Sequence, residues 1–178
     1  MDLDKEIERW YRLHDIYTPD DIDLDRIAQV LGVDVREWPG HTVSFYRRRI
    51  ILLRTGLSEI ERREVLAHEL AHFVLHCGGQ AEAALALAAK QEWQAERAAR
   101  KILIPLFMLR ESLRDFSGSN VVASLSWLYR VSSRLVLRRL EDVRWIAIRI
   151  RQGTKFMIGL VAIEGLQMVV DAIVGILT

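Results

Sequence analysis

The sequence predicts an α+β fold, mostly helical with a small β-sheet, followed by a helix-turn-helix-like pair and a short β-rich tail. Three observations carry this. Apolar residues recur at helical spacing through most of the first 115 residues. Two short β-rich runs, 42–46 and 49–53, interrupt them. Beyond Asn120, two short helical patterns around a tight turn lead into alternating apolar sequence. A chain of 178 residues is long enough for one domain with a real core, or for such a domain plus a small appendage. The division expected is a main domain at 1–115, the helix-turn-helix-like segment at 116–142 and the tail at 143–178.

Net charge is +1, so no global field directs the protein to nucleic acid. The charge is uneven, with nine acids against four bases in residues 1–30 and seven arginines against two acids in residues 130–151. A lone cysteine, Cys77, excludes an internal disulfide framework and fits a reducing compartment. The N-terminus is acidic and amphipathic and lacks an apolar signal region, which points to a cytoplasmic rather than an exported protein.

Taken in order, Leu3, Ile7, Trp10, Tyr11 and Leu13 mark an amphipathic helix over residues 3–16, broken by Thr18-Pro19-Asp20. Asp21 or Asp23 can cap a second helix running to Val30, which Gly32 ends. Strand-like sequence begins at Val33, Trp38-Pro39-Gly40 forms a turn, and the runs 42–46 and 49–53 read as a hairpin. Such a sheet can support the next helix or offer an edge to an extended peptide. Ser58 and Glu61 form a capping box for that helix.

It carries the densest chemistry in the chain, His68-Glu69-Leu70-Ala71-His72. Residues four apart share one helical face, so His68 and His72 aim two imidazoles at one point, a spacing that suits zinc. Glu69 follows the first histidine by one residue and can reach a zinc-bound water without being a ligand. Val65, Leu66, Leu70, Phe73 and Leu75 supply apolar packing, and a buried helix that happens to carry two histidines is the plain competitor. His76 lies further along the stripe and reads as a structural histidine near the helix end, and Cys77 as a small apolar residue.

A catalytic zinc takes three protein ligands and keeps a fourth position open. An alanine-rich helix over 81–103 offers Glu82, Glu92 and Glu96 as the third. Glu92 and Glu96 share a face, so one can bind metal while the other orients a ligand histidine. Pro105 then breaks the helix and starts another, 105–113.

The stretch from Leu66 to His76, with His68-Glu69-Leu70-Ala71-His72 and His76, resembles the ImmA/IrrE family of zinc metallopeptidases. The stretch from Glu92 to Pro105 is similar to that family's second signature, a ligand glutamate followed by a polar residue four positions on, small residues, two aliphatics and a proline. Glu96 stands where the family often has Asn or Asp, and Ala98 where it usually has Phe. The resemblance covers the chain from about residue 21 to about residue 140. It implies a zincin-like, gluzincin-type core with zinc on His68, His72 and Glu92, Glu69 as general base and Glu96 beside the ligands. It implies a metalloendopeptidase whose substrate is a helix-turn-helix transcriptional repressor, cut to relieve repression in a stress response or in mobile-element induction. The competing function is a zinc-containing regulatory module that docks a repressor or DNA without cutting.

In the remaining chain, Ser132 can cap the second helix of the pair, whose Arg134, Arg138 and Arg139 lie on or near one face as a surface for an acidic partner or DNA. The absence of a turn glycine and the near-neutral total charge weigh against DNA. Residues 143–150 and 155–163 read as a hairpin and 167–177 as a strand or helix. The apolar run 156–177 holds Glu164, Gln167 and Asp171, and a central acid costs a membrane helix ~2.5–3.5 kcal/mol, so buried structure is expected there rather than a span.

Overall fold

The computed structural model describes residues 2–75, 85–116 and 120–151, with side chains placed at 2–75, 88–116 and 120–143. Helix α1, Leu3–Leu13, is capped by the Asp2 carboxylate and buries Ile7 and Tyr11, and it ends a turn earlier than its periodicity suggests. The Tyr11 hydroxyl donates to the Ile102 carbonyl at 2.7 Å, which satisfies the polar tip of a ring buried in the core. Helix α2, Leu24–Val30, is capped by Asp23, which accepts from the Asp25 and Arg26 amides. Gly32 follows with φ +67°, a left-handed conformation that costs glycine nothing.

Three strands form one sheet in the order β1-β3-β2. Strand β1, Asp34–Trp38, runs parallel to β3, Ile50–Arg54. Strand β2, Val43–Phe45, pairs antiparallel with β3, the expected hairpin, and is left as an edge. Ile51 and Leu53 are fully buried, packing the sheet onto the core against α3, Glu59–Leu75. The capping box that opens α3 is formed, with Ser58 and Glu61 exchanging hydrogen bonds of 2.8–3.3 Å.

Helix α3 packs most extensively on α4, Leu85–Leu103. Leu66, Ala67, Leu70 and Ala71 face Ala95, Ala98 and Ala99, all buried, and small side chains on both helices allow close approach. Pro105 takes the cap position of α5, Leu106–Asp115. Helices α6, Val121–Tyr129, and α7, Ser133–Arg151, form the expected pair, joined through Arg130 at φ 53°. Here the left-handed turn is made without a glycine. Ser132 caps α7, its hydroxyl accepting from the Leu135 amide.

Helix α7 corrects the sequence reading of 143–150 as a strand. Val136, Leu140 and Val143 continue one buried helical stripe, and Gly153 is the first breaker after Ser133. A helix already nucleated extends through β-branched residues when nothing stops it. The rest of the tail, with the strands read at 155–163 and 167–177, lies outside the described residues, as do His76, Cys77 and Glu82. Among the described residues no helix is long and apolar enough to cross a membrane.

Candidate metal centre

Helix α3 carries His68 and His72 one turn apart, His72 among its buried residues, and α4 brings Glu92 to both. The two imidazole Nε2 atoms stand 3.2 Å apart. Glu92 Oε2 is 3.2 Å from His68 Nε2, and its Oε1 is 3.2 Å from His72 Nε2. Two donors bound ~2.0–2.2 Å from one tetrahedral metal stand about 3.3 Å apart. The three contacts therefore match what a shared cation requires, and two imidazoles with one carboxylate are a donor set suited to zinc. The side chains grade outward, from His72 at 9% exposed through His68 at 28% to Glu92 at 59%, so the cluster opens to solvent on the α4 side.

Glu96 lies one turn beyond Glu92. It is exposed and makes no hydrogen bond or ion pair among the described residues. The face shared by the two glutamates thus places Glu92 at the histidines and leaves Glu96 in water.

Glu69 does not join the cluster. Its Oε2 accepts a 2.5 Å hydrogen bond from Ser44 Oγ on β2. One residue past β2, the Tyr46 ring packs at 5.0 Å against Phe73 and at 6.2 Å from the His72 ring. Burial and the nearby Glu69 and Glu92 charges push the Tyr46 phenol up to about 12, so it is a neutral donor at physiological pH. Sequence reasoning missed both residues. A signal existed, because β2 inverts the usual alternation: the apolar Val43 and Phe45 face out while the hydroxyl of Ser44 turns inward. A serine at the inward position of an edge strand before a metal-motif helix is worth testing as a site residue.

The α3 helix is anchored from behind. Buried Arg63 donates to the carbonyls of Ile22 and Tyr129, and Glu64 accepts from the Ser132 amide at 2.6 Å, so the α6–α7 turn braces it. An apolar cavity of about 370 Å³, lined by Ile7, Trp10, Leu70, Val74 and Ile102 among others, lies on the other face of α3 and holds none of the cluster residues.

The arginine surface needs one correction. Arg134 and Arg138 are exposed, but Arg139 is fully buried, its guanidinium bonded to Asp4 Oδ1 and the Ile104 carbonyl. Residues 138 and 139 lie 100° apart on a helix, enough to separate a surface arginine from a core one.

Two histidines and a glutamate gathered around one point, a second glutamate beside them and a small sheet at the rim make a metallopeptidase-type arrangement. The chain belongs to the peptidase M78 family, whose IrrE N-terminal-like domain matches residues 14–141. The chain is 27% identical over 141 residues to the uncharacterized protein YqaB of Bacillus subtilis strain 168, covering 78% of this chain and 82% of that protein. Over the same length it is 26% identical to the phage-like element PBSX protein XkdA of that strain, covering 78% and 71% respectively. No solved structure matches the chain.

Proposed function

We propose that the protein is a zinc-dependent metalloendopeptidase acting in the cytoplasm. The observation that carries this is the convergence of His68, His72 and Glu92, whose ligand atoms lie within 4.8 Å of one another, with Glu69 held just outside the cluster. His68, His72 and Glu92 would hold the zinc, which when bound supplies Lewis-acid polarisation and acidifies water. Glu69 would take the proton of the attacking water and return it to the leaving amine. Folding around a metal needs no free glutamate beside the ligands, so Glu69 favours an enzyme over a binding module. Among the described residues β2 is an edge of the sheet, and its Ser44 reaches Glu69 beside the cluster, so an extended peptide can add there as a further strand.

The substrate we propose is a helix-turn-helix transcriptional repressor, cut to relieve repression in a stress response or mobile-element induction. Its support is the resemblance carried by the two motifs, and the phage-like element named for XkdA agrees with the second setting. The test co-expresses the chain with a helix-turn-helix repressor encoded beside it, comparing wild type with Glu69→Gln. Wild type should convert the repressor into fragments with one new terminus, and Glu69→Gln should leave it intact. Equal loss of repressor with both proteins would end the peptidase reading.

A further inference from the structure

Tyr46 is the one aromatic hydroxyl beside the cluster among the described residues, and the metal-ligand and base assignments leave it without a task. It sits in the short 3-10 turn, residues 46–48, that joins edge strand β2 to β3. Its ring rests on Phe73 and faces His72, which fixes it against the same helix that carries Glu69. Its hydroxyl makes no hydrogen bond among the described residues, and the side chain is only half-buried. Both Glu69 and Glu92 are near enough for their charge to act on it. A ring needed only for packing on Phe73 gains nothing from a hydroxyl, whereas a site that builds negative charge on oxygen needs a fixed donor.

We propose that Tyr46 is a catalytic residue, its phenol donating a hydrogen bond to the carbonyl oxygen of the scissile peptide as that oxygen becomes an alkoxide. This rests on the peptidase reading. Water oxygen bonds to the carbonyl carbon, Glu69 takes one water proton, and the carbonyl π pair moves onto oxygen, where the phenol holds it. The C–N bond then breaks, the pair returns to re-form the carbonyl, and the proton on Glu69 passes to the leaving nitrogen. Tyr46 keeps its own proton throughout. Its place two residues beyond Ser44 lets one strand end serve both partners, with Ser44 at the base and Tyr46 at the developing charge.

The distinguishing property is preference for a tetrahedral oxyanion over a planar amide. The probes are a phosphinic hexapeptide pool, randomised around the phosphinic group, and the matched amide pool. Both are titrated against zinc-loaded wild type, Tyr46→Phe and Tyr46→His by the shift in thermal midpoint, with zinc content measured alongside. Wild type should prefer the phosphinic pool, Tyr46→Phe should bind it ~100-fold more weakly with amide binding and zinc content unchanged, and Tyr46→His, which keeps a ring donor, should recover part of the loss. Phosphinic binding within twofold of wild type in Tyr46→Phe overturns the assignment and leaves the peptidase reading standing. Equal loss toward both pools, or loss of zinc, makes Tyr46 a packing residue and also overturns it. No phosphinic preference in wild type removes the peptidase reading and the assignment together.

Discussion

Helix α4 takes part in two clusters of three polar side chains, and they are built on opposite principles. At one, Glu92 meets His68 and His72 of α3. At the other, Lys101 meets Asp4 of α1 and Arg139 of α7, with Asp4 accepting from Lys101 at 2.5 Å and from Arg139 at 2.6 Å. In the second cluster donors point at acceptors, and Arg139 adds a bond to the Ile104 carbonyl, so it is nearly closed on itself; Nη1 of Arg139 is its one orphan among the described residues. In the first, three groups that can act as lone-pair donors point at one another and one side lies open. The closed cluster fixes three helices. The open one is the arrangement a metal ion would complete, which makes it the candidate site.

The difference predicts where mutation hurts folding most. Asp4→Ala removes the carboxylate that the buried Arg139 and Lys101 share, leaving two buried cations without it. Breaking a buried pair from one side costs about 3–5 kcal/mol. Urea unfolding should report a loss of that size, while the fraction still folded binds zinc as wild type does. A loss below about 1 kcal/mol would show the cluster to be dispensable.

Acid tests the same cluster without mutation. Burial alone would raise the Asp4 carboxyl, but Arg139 and Lys101 outweigh it and hold it below the usual carboxylate range. A group whose folded pKa is depressed contributes stability above its unfolded pKa and loses it as pH falls through the folded value. The stabilisation from Asp4 should therefore be full at neutrality and decline from about pH 4 downward. Unfolding midpoints of wild type and Asp4→Ala should converge over that range; a gap that stays constant to pH 2 would contradict the assignment.

The open cluster should respond the other way, losing metal while keeping its fold. Glu92→Ala should weaken zinc binding more than ~100-fold, since even outer partners of a ligand are worth 10–100-fold. Glu96→Ala, one turn along in solvent, should leave affinity within about twofold. Zinc competition against a chromogenic chelator measures both. Equal losses from the two variants would mean that the metal draws on both glutamates.

How much of this was readable beforehand follows from the range of the interactions. His68, Glu69 and His72 share one helix, so local spacing displays them. Spacing alone narrows Glu92 and Glu96 to a shared face, and the resemblance of the stretch ending at Pro105 favours Glu92; the physical reason for that choice lies in how α3 and α4 cross, which their alanine-rich contact sets. The capping box at Ser58, the Asp23 cap and the β2–β3 hairpin were equally local and legible. Ser44 and Tyr46 meet α3 through contacts spanning about 25 residues, from sheet edge to helix, and the inverted alternation of β2 marks Ser44 as unusual without saying which helix it meets. Arg139 looked like its neighbour Arg138 because composition does not record which side of α7 meets α1. The extension of α7 through residues 143–151 was hidden by β-branched side chains, whose local preference is weaker than the propagation of a packed helix.

The smallest effect separates holding a fold from holding a reactive group. Ser44 Oγ donates to Glu69 at 2.5 Å across the gap between edge strand and helix. In Ser44→Ala, Glu69 remains at the rim, where water can replace the hydroxyl, so stability should fall by only about 1 kcal/mol, the usual worth of one hydrogen bond. Peptide cleavage should fall further, by roughly tenfold, because a freed carboxylate spends less of its time aimed at the attacking water. The loss should lie in kcat rather than KM, and Ser44→Thr, which keeps the hydroxyl and suits a strand, should restore most of it. If Ser44→Ala instead costs as much stability as Asp4→Ala with no change in kcat, Ser44 belongs to the closed kind of cluster, and β2 serves α3 only as support.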